Sequence, residues 1–275
     1  MARQRPKSRE PVVEQRNLAR PSLTVPPIIE QPPGNLCALI PVYNNHQTLL
    51  SVIEQLRQYI QTVIIIDDGS DDGTEHIVDQ LAATCPESIH IQHHASNRGK
   101  GAAVQTGLQL AATLGFDDAL QVDADGQHNL DDIPIFLQAR KEYPKAMIMG
   151  APIFDDSIPA SRKYGRKLTH LMIALESGSG HLPDAMCGFR LYPIATILQL
   201  GTMGSRMCFD PEVMIRADWA NIPIKTVPTK VRYLSAEEGG VSHFKMFHDN
   251  LLHVWTHTRL LLQAPLRWLI RWIKR

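Results

Sequence analysis

The chain has 275 residues, 44% of them hydrophobic and 20% charged, and its 28 basic side chains are balanced by 28 acidic ones. That is enough apolar material for one sizeable core, and a zero formal charge gives no overall pull towards nucleic acid. Four cysteines, Cys37, Cys85, Cys187 and Cys208, stand apart without a CxxC pair, which argues against zinc-ligand spacing and a disulfide scaffold and fits a reducing compartment.

Residues 1–34 hold six Lys/Arg against three Glu, and Pro6, Pro11, Pro21, Pro26, Pro27, Pro32 and Pro33 lie among them. Too few apolar side chains are available there to offset the entropy of ordering, so this stretch reads as a disordered, basic, Pro-rich tail. Its opening residues, MARQRPKSRE, have no apolar core following the charges, and no apolar run reaches the eighteen or so residues of a membrane span. The body is therefore expected to stay in the cytoplasm.

From Leu36 the pattern changes. Leu36–Val42, Val63–Asp67, Ile89–His93, Ala119–Val122 and Ala146–Met149 read as buried strands. Between them, His46–Tyr59, Gly73–Thr84, Gly101–Leu114 and Asp131–Tyr143 read as helices. This alternation predicts an α/β domain over residues 35–245, with a mostly parallel central sheet and helices on both faces. Beyond residue 150 the pattern predicts a helix from Arg162 to about Leu175, a turn at 177–180, and a helix near Pro211–Ala220. Two short strands, Ile224–Val227 and Lys230–Tyr233, should follow, then a long helix from about Phe244.

Ligands of parallel sheets bind at the carboxyl ends of the strands, and polar clusters stand at those ends here. The first strand runs into Pro41-Val42-Tyr43-Asn44-Asn45. The second runs into Asp67-Asp68-Gly69-Ser70-Asp71-Asp72-Gly73-Thr74, and the fourth into Asp123-Ala124-Asp125-Gly126-Gln127-His128. Carboxylates gathered at one edge repel unless a cation or hydrogen-bond donors join them. Mg²⁺ or Mn²⁺ with ligand hydroxyls would resolve the repulsion, because both ions favour oxygen donors. An Asp-X-Asp pair directs both carboxylates to one side. Each piece also has a plainer reading: Asp71 or Asp72 can cap the following helix and Gly69 can make a left-handed turn. Asn97-Arg98-Gly99-Lys100-Gly101 can either cradle a nucleotide at a helix N-terminus or simply start a helix with a solvated Lys100.

In this order and spacing, PVYNN, DDGSDDGT, NRGKG and DADGQH resemble glycosyltransferase family 2. CGFRLYP (187–193) and FDPEVMIRA (209–217) look most like its branch of dolichyl-phosphate mannosyltransferases and polyprenyl-phosphate sugar transferases. The resemblance spans about residues 36–245 and implies a GT-A fold and an inverting transfer from a UDP- or GDP-sugar. It implies that Pro41 and Tyr43 border the base, with Asn45 where the branch usually has an acidic residue. Asp67 and Asp68 would hold base or ribose, Lys100, Asp123 and Ala124 would contact the donor, and Asp125 and Gln127 would be the metal ligands. Asp184, Gly188 and Arg190 match a patch near the acceptor, Glu212 matches the acidic residue of the acceptor-side helix, and Arg232 matches an arginine before the last helix.

A polyprenyl-phosphate acceptor is already anionic and needs cations, which Arg162 and Arg166, four apart on one helix face, could supply. A hydroxyl acceptor on a lipid, glycan or secondary metabolite needs a base instead. The catalytic candidates are therefore Asp125, Asp210, Glu212 and Arg190, although Asp210 can also cap the helix at Pro211. A nucleotide-sugar binding protein without catalysis and a nucleotidyltransferase are the rival classes. Residues 246–275 form an amphipathic segment in which Leu266, Leu269, Ile270 and Ile273 share one face and Arg267, Arg271 and Lys274 the other. That arrangement predicts a helix lying on the cytoplasmic face of a membrane.

Overall fold

The computed structural model describes residues 35–153, 171–178, 182–183, 185, 187–230 and 246–273. The predicted tail over residues 1–34 lies outside them, as do Arg162, Arg166, Asp184 and Arg232.

The elements run β1 (Leu36–Val42), α1 (Leu49–Leu56), β2 (Val63–Asp67), α2 (Thr74–Thr84), β3 (Ile89–His93), α3 (Lys100–Thr113), β4 (Asp118–Gln121), α4 (Ile133–Glu142) and β5 (Met147–Ile153). Residues 171–177 are helical (α5). Then come β6 (Arg190–Pro193), α6 (Ile194–Leu198), α7 (Phe209–Trp219), β7 (Ile224–Lys230) and α8 (Met246–Ile273).

The seven strands form one sheet in the order β3-β2-β1-β4-β6-β5-β7. All pairings are parallel except those of β6, which runs antiparallel to both β4 and β5. β1 shows why this sheet is buried on both faces. Leu36, Ala38, Ile40 and Val42 point into one core with residues of α1, α2 and α4. Cys37 and Leu39 point into the other, among residues of α3, α6, α7 and α8. Alternation along the strand sends successive side chains to opposite faces, and burying each Leu, Ile or Val stabilises the fold by ~1.5–3 kcal/mol.

Two expectations need correction. The strand predicted at 224–227 runs on to Lys230, because Pro228 sits on the edge strand β7, where a missing N–H is tolerated; residues 231–233 of the second predicted strand lie outside the described residues. The run Arg190–Pro193 was not anticipated as a strand, yet it wedges antiparallel between β4 and β5.

Candidate active site

β1, β2 and β4 are parallel neighbours, so their three polar ends meet at one edge, and hydrogen bonds tie those ends together. The Thr48 hydroxyl donates to the Ala124 carbonyl at 2.7 Å. The Asn44 side chain donates to Asp71 Oδ1 at 2.8 Å and accepts the Asp71 N–H at 3.0 Å. Asp72 Oδ1 accepts the Thr74 N–H and hydroxyl at 3.0 and 2.6 Å, which steadies the start of α2. Gly69 has φ +76°, and a Cβ there would stand 2.7 Å from the Ser96 backbone. This turn therefore requires glycine, because it is left-handed and another strand of backbone presses against it.

The carboxylates at the end of β2 hold loops. Asp68 is 2% exposed; it accepts His94 Nδ1 at 2.6 Å and the N–H groups of Arg98 and Gly99 at 2.9 and 2.6 Å. It thereby fixes the NRGKG loop before α3. Asp67 accepts the Ser70 N–H at 3.1 Å and faces His93 Nδ1 at 2.8 Å. Burial alone would lower His93, but its bonds to Asp67 and Asp79 raise it above its ordinary value. Sequence reasoning missed both histidines, although a doubled His directly after a strand in a carboxylate-rich chain was a usable signal. Pro41 is buried and Tyr43 half-buried beside this edge. Asn45 is buried, and its N–H donates to Thr74 Oγ1 at 3.0 Å.

At the centre, Lys100 opens α3 and reaches across to β4. Its Nζ lies 2.8 Å from Asp123 Oδ1 and 3.6 Å from Asp210 Oδ2. Asp123 also accepts from Gln121 Nε2 at 3.2 Å, and Tyr192 donates its hydroxyl to Gln121 Oε1 at 3.1 Å. Burial opposes the charge on Asp123, but Lys100 and His128 overcome it and hold the carboxyl down at about 2. Burial works against the Lys100 ammonium too; Asp123 and Asp210 raise it above its usual value instead. Gly188 closes over this pair, and a Cβ there would fall on Asp123 Oδ2 and Lys100 Nζ. His128, unassigned from sequence, stacks on Phe189 with centroids 5.1 Å apart and lies 3.8 Å from Asp123.

Asp125 behaves differently from Asp123. Burial first, then the adjacent Asp123 charge, push its pKa upward. Among the described residues its carboxylate receives one hydrogen bond, from the Gln127 N–H at 3.0 Å. A half-buried carboxylate short of donors, with the Gln127 side-chain amide two residues along the chain, is the donor chemistry that suits Mg²⁺ or Mn²⁺. No group of three or more His, Cys, Asp or Glu among the described residues forms a metal cage by itself. Asp125 and Gln127 would therefore suit a cation only if substrate phosphate and water supplied its remaining ligands.

The acceptor side departs from expectation. Arg190 is fully buried and donates to the carbonyls of Cys187 at 2.8 Å, Asp210 at 2.9 Å, and Ala185. With its fork spent on the 185–187 loop and α7, it positions Asp210 and has no free face for reacting atoms. Glu212, 1% exposed, accepts the Gly204 N–H at 3.0 Å and pairs with Arg216 at 3.0 Å and Arg259 at 2.6 Å. It ties α7 to α8 instead of standing ready as a base. Asp210 does not cap α7, whose N-cap is Cys208. It sits buried between Lys100 and Arg190 Nη1, the latter 3.5 Å away.

With this geometry in place, the comparison with known proteins is decisive: the description "Glycosyl transferase family 2" matches residues 37–197. The chain belongs to that family. It is a glycosyltransferase, and its sheet and helices are those of the GT-A fold. A dolichyl-phosphate beta-glucosyltransferase of Trichomonas vaginalis is 25% identical over 85% of this chain and 76% of its own length. A UDP-N-acetylglucosamine–dolichyl-phosphate N-acetylglucosaminyltransferase of Methanococcus voltae is 29% identical over 78% and 94%. Among solved structures, glucosyl-3-phosphoglycerate synthase from Mycobacterium tuberculosis in complex with Mn²⁺, UDP-glucose and phosphoglyceric acid shares the fold. It has TM-score 0.57 and 16% identity, with 85% of this chain and 79% of that one covered.

Proposed function

We propose that this glycosyltransferase moves a sugar from a UDP- or GDP-sugar to the phosphate of a polyprenyl phosphate, with inversion at the anomeric carbon. One observation carries the choice of acceptor: the carboxylates that could serve a hydroxyl acceptor as base face cations inside the protein, Glu212 in close ion pairs and Asp210 with charges 3.5 and 3.6 Å away. Glu212 is bound by two arginines and a backbone N–H, and Asp210 lies between Lys100 and Arg190. Asp125, whose pKa is raised, sits on the turn after β4, among the proposed donor-side groups. A phosphate oxygen is anionic near neutral pH and needs no base. It attacks the anomeric carbon while the bond from that carbon to the diphosphate oxygen breaks and its electron pair leaves with the nucleoside diphosphate. No proton has to move. The names of the sequence relatives support the same acceptor class.

On the donor side, Pro41 and Tyr43 border the base, and Asp67 and Asp68 hold the loops that frame it. The Lys100–Asp123 pair fixes the carboxylate next to Asp125. Asp125 and Gln127 would hold Mg²⁺ or Mn²⁺, which neutralises charge on the leaving diphosphate. Arg162, Arg166, Asp184 and Arg232 remain the proposed acceptor-side groups. The acceptor's lipid tail places the enzyme at the cytoplasmic face of a membrane as a peripheral protein; no described helix is long and apolar enough to cross one.

Titrating UDP and GDP by calorimetry with and without Mn²⁺ tests the donor half. One of the two should bind with Mn²⁺ and bind at least roughly tenfold more weakly without it. No binding of either nucleotide would reject the donor assignment.

A further inference from the structure

α8 is amphipathic in the reverse of the usual sense. The side it turns to the domain carries Asp249, Thr256 and His257, all buried, and Arg259, which pairs with Glu212. The opposite side is apolar: Leu251, Val254, Trp255, Leu262, Leu266 and Leu269 are each between 52% and 78% exposed. They recur at helical spacing along one stripe, and the one Lys, Arg, Asp or Glu from 250 to 266, Arg259, is turned to Glu212. An ordinary surface helix keeps its charges outside and its leucines inside; this one turns Asp249 and Arg259 to the protein and leaves an apolar band, broken by Thr258, exposed.

We propose that this whole outer face, from Leu251 to Leu269, is a docking surface for a lipid bilayer containing anionic headgroups, with α8 lying flat in the interface. The inference rests on the lipid-borne acceptor of the proposed function and extends it to a defined surface. Three observations select a bilayer over another occupant. The basic residues Arg267, Arg271, Lys274 and Arg275 crowd the end of the chain, with no acidic residue after Asp249, which complements anionic headgroups. The stripe includes an indole at Trp255, a side chain that favours the headgroup level. Its nineteen residues from Leu251 to Leu269 span about 27 Å, yet Asp249, His257 and Arg259 on the inner side bar the helix from crossing hydrocarbon.

The inner side links this surface to the site. Asp249 Oδ1 pairs with Arg206 Nε at 2.7 Å, and Arg206 Nη1 reaches Asn97 of the NRGKG loop at 3.4 Å. Arg259 pairs with Glu212 of α7 at 2.6 Å. The helix that meets the bilayer therefore also braces the nucleotide loop and the Asp210 helix, and sets the height of the site above the headgroups.

The test uses the full chain with vesicles of phosphatidylcholine, alone and mixed with phosphatidylglycerol. Wild type should co-sediment with the mixed vesicles, and the Trp255 emission should shift to the blue. The double variant Leu262→Glu/Leu266→Glu should lose roughly tenfold or more of that partitioning. It should keep wild-type nucleotide binding, which shows that it folds, and should keep transfer to a short-chain polyprenyl phosphate in solution while losing transfer to acceptor embedded in vesicles. Equal partitioning of variant and wild type would overturn the proposal. So would a wild type that ignores vesicles and forms a dimer dissociated by Leu262→Glu. Vesicle binding without transfer to either acceptor would leave the docking surface standing and refute the proposed function instead.

Discussion

Replacing Asp125 by alanine is expected to lower sugar transfer by roughly 10²- to 10³-fold, the size of effect seen when one electrostatic stabiliser of a transition state is removed. Asp125 is the acidic group at the donor edge that the protein leaves under-satisfied. Asp123 has Lys100 and Gln121, Asp68 has His94 and two N–H groups, and Asp67 has Ser70 and His93. Asp125 has the Gln127 N–H, and burial together with Asp123 raises its pKa. A site that holds a carboxylate in this condition gains most when a cation arrives. Alanine should therefore remove both the Mn²⁺ dependence of nucleotide binding and the turnover, while leaving unfolding little changed because few protein contacts are lost. Turnover, Mn²⁺-dependent calorimetry and urea unfolding on one preparation check this. Wild-type turnover in the variant would remove Asp125 from the chemistry.

Lys100→Met should cost about 3–5 kcal/mol of stability, the range found when one partner of a buried ion pair is deleted. The substitution keeps most of the side chain's volume and takes away the charge shared by Asp123 and Asp210, at 2.8 and 3.6 Å. The pH dependence follows from the directions of the two shifts. A carboxyl held down at about 2 contributes stability that is present above the unfolded value near ~3.9 and is lost as pH falls through the folded one. A raised lysine contributes stability that is present below ~10.4 and is lost as pH rises through its folded value. Wild type should accordingly keep the full contribution of the pair between about pH 4 and 10. In the variant Asp123 loses the lysine that opposes its burial and titrates higher, so the deficit should narrow on acidification from about pH 7 to 4.5. Urea unfolding at both pH values reads this directly. A deficit that does not change with pH would show that lost packing, and not the charge pair, is responsible.

The donor half of the site was legible in the sequence because parallel topology makes strand ends converge. β1, β2 and β3 fall where they are predicted, to the residue: β1 and β2 are buried on both faces and so almost wholly apolar, while β3, half exposed at the sheet edge, alternates isoleucine with polar residues. β6 was not legible. Four residues, one of them an arginine and one a proline, carry no alternation, and only the gap between β4 and β5 makes them a strand. The acceptor half misled for a related reason. Arg190 and Glu212 look like free charges along the chain, but their partners are the carbonyls of the 185–187 loop and Arg259 on a distant helix. Burial, which turns a charge from reagent into brace, is not written in local pattern. The same holds for α8: sequence showed an apolar face over Leu266–Ile273, while the fold reveals that the stripe begins at Leu251.

The most direct test measures nucleoside diphosphate release from UDP- and GDP-sugars with a polyprenyl phosphate, against the same polyprenol bearing a free hydroxyl. Release with the phosphate and none above background with the alcohol is the expected result. Comparable release with the alcohol, or none with the phosphate, would contradict a base-free transfer to phosphate at this site.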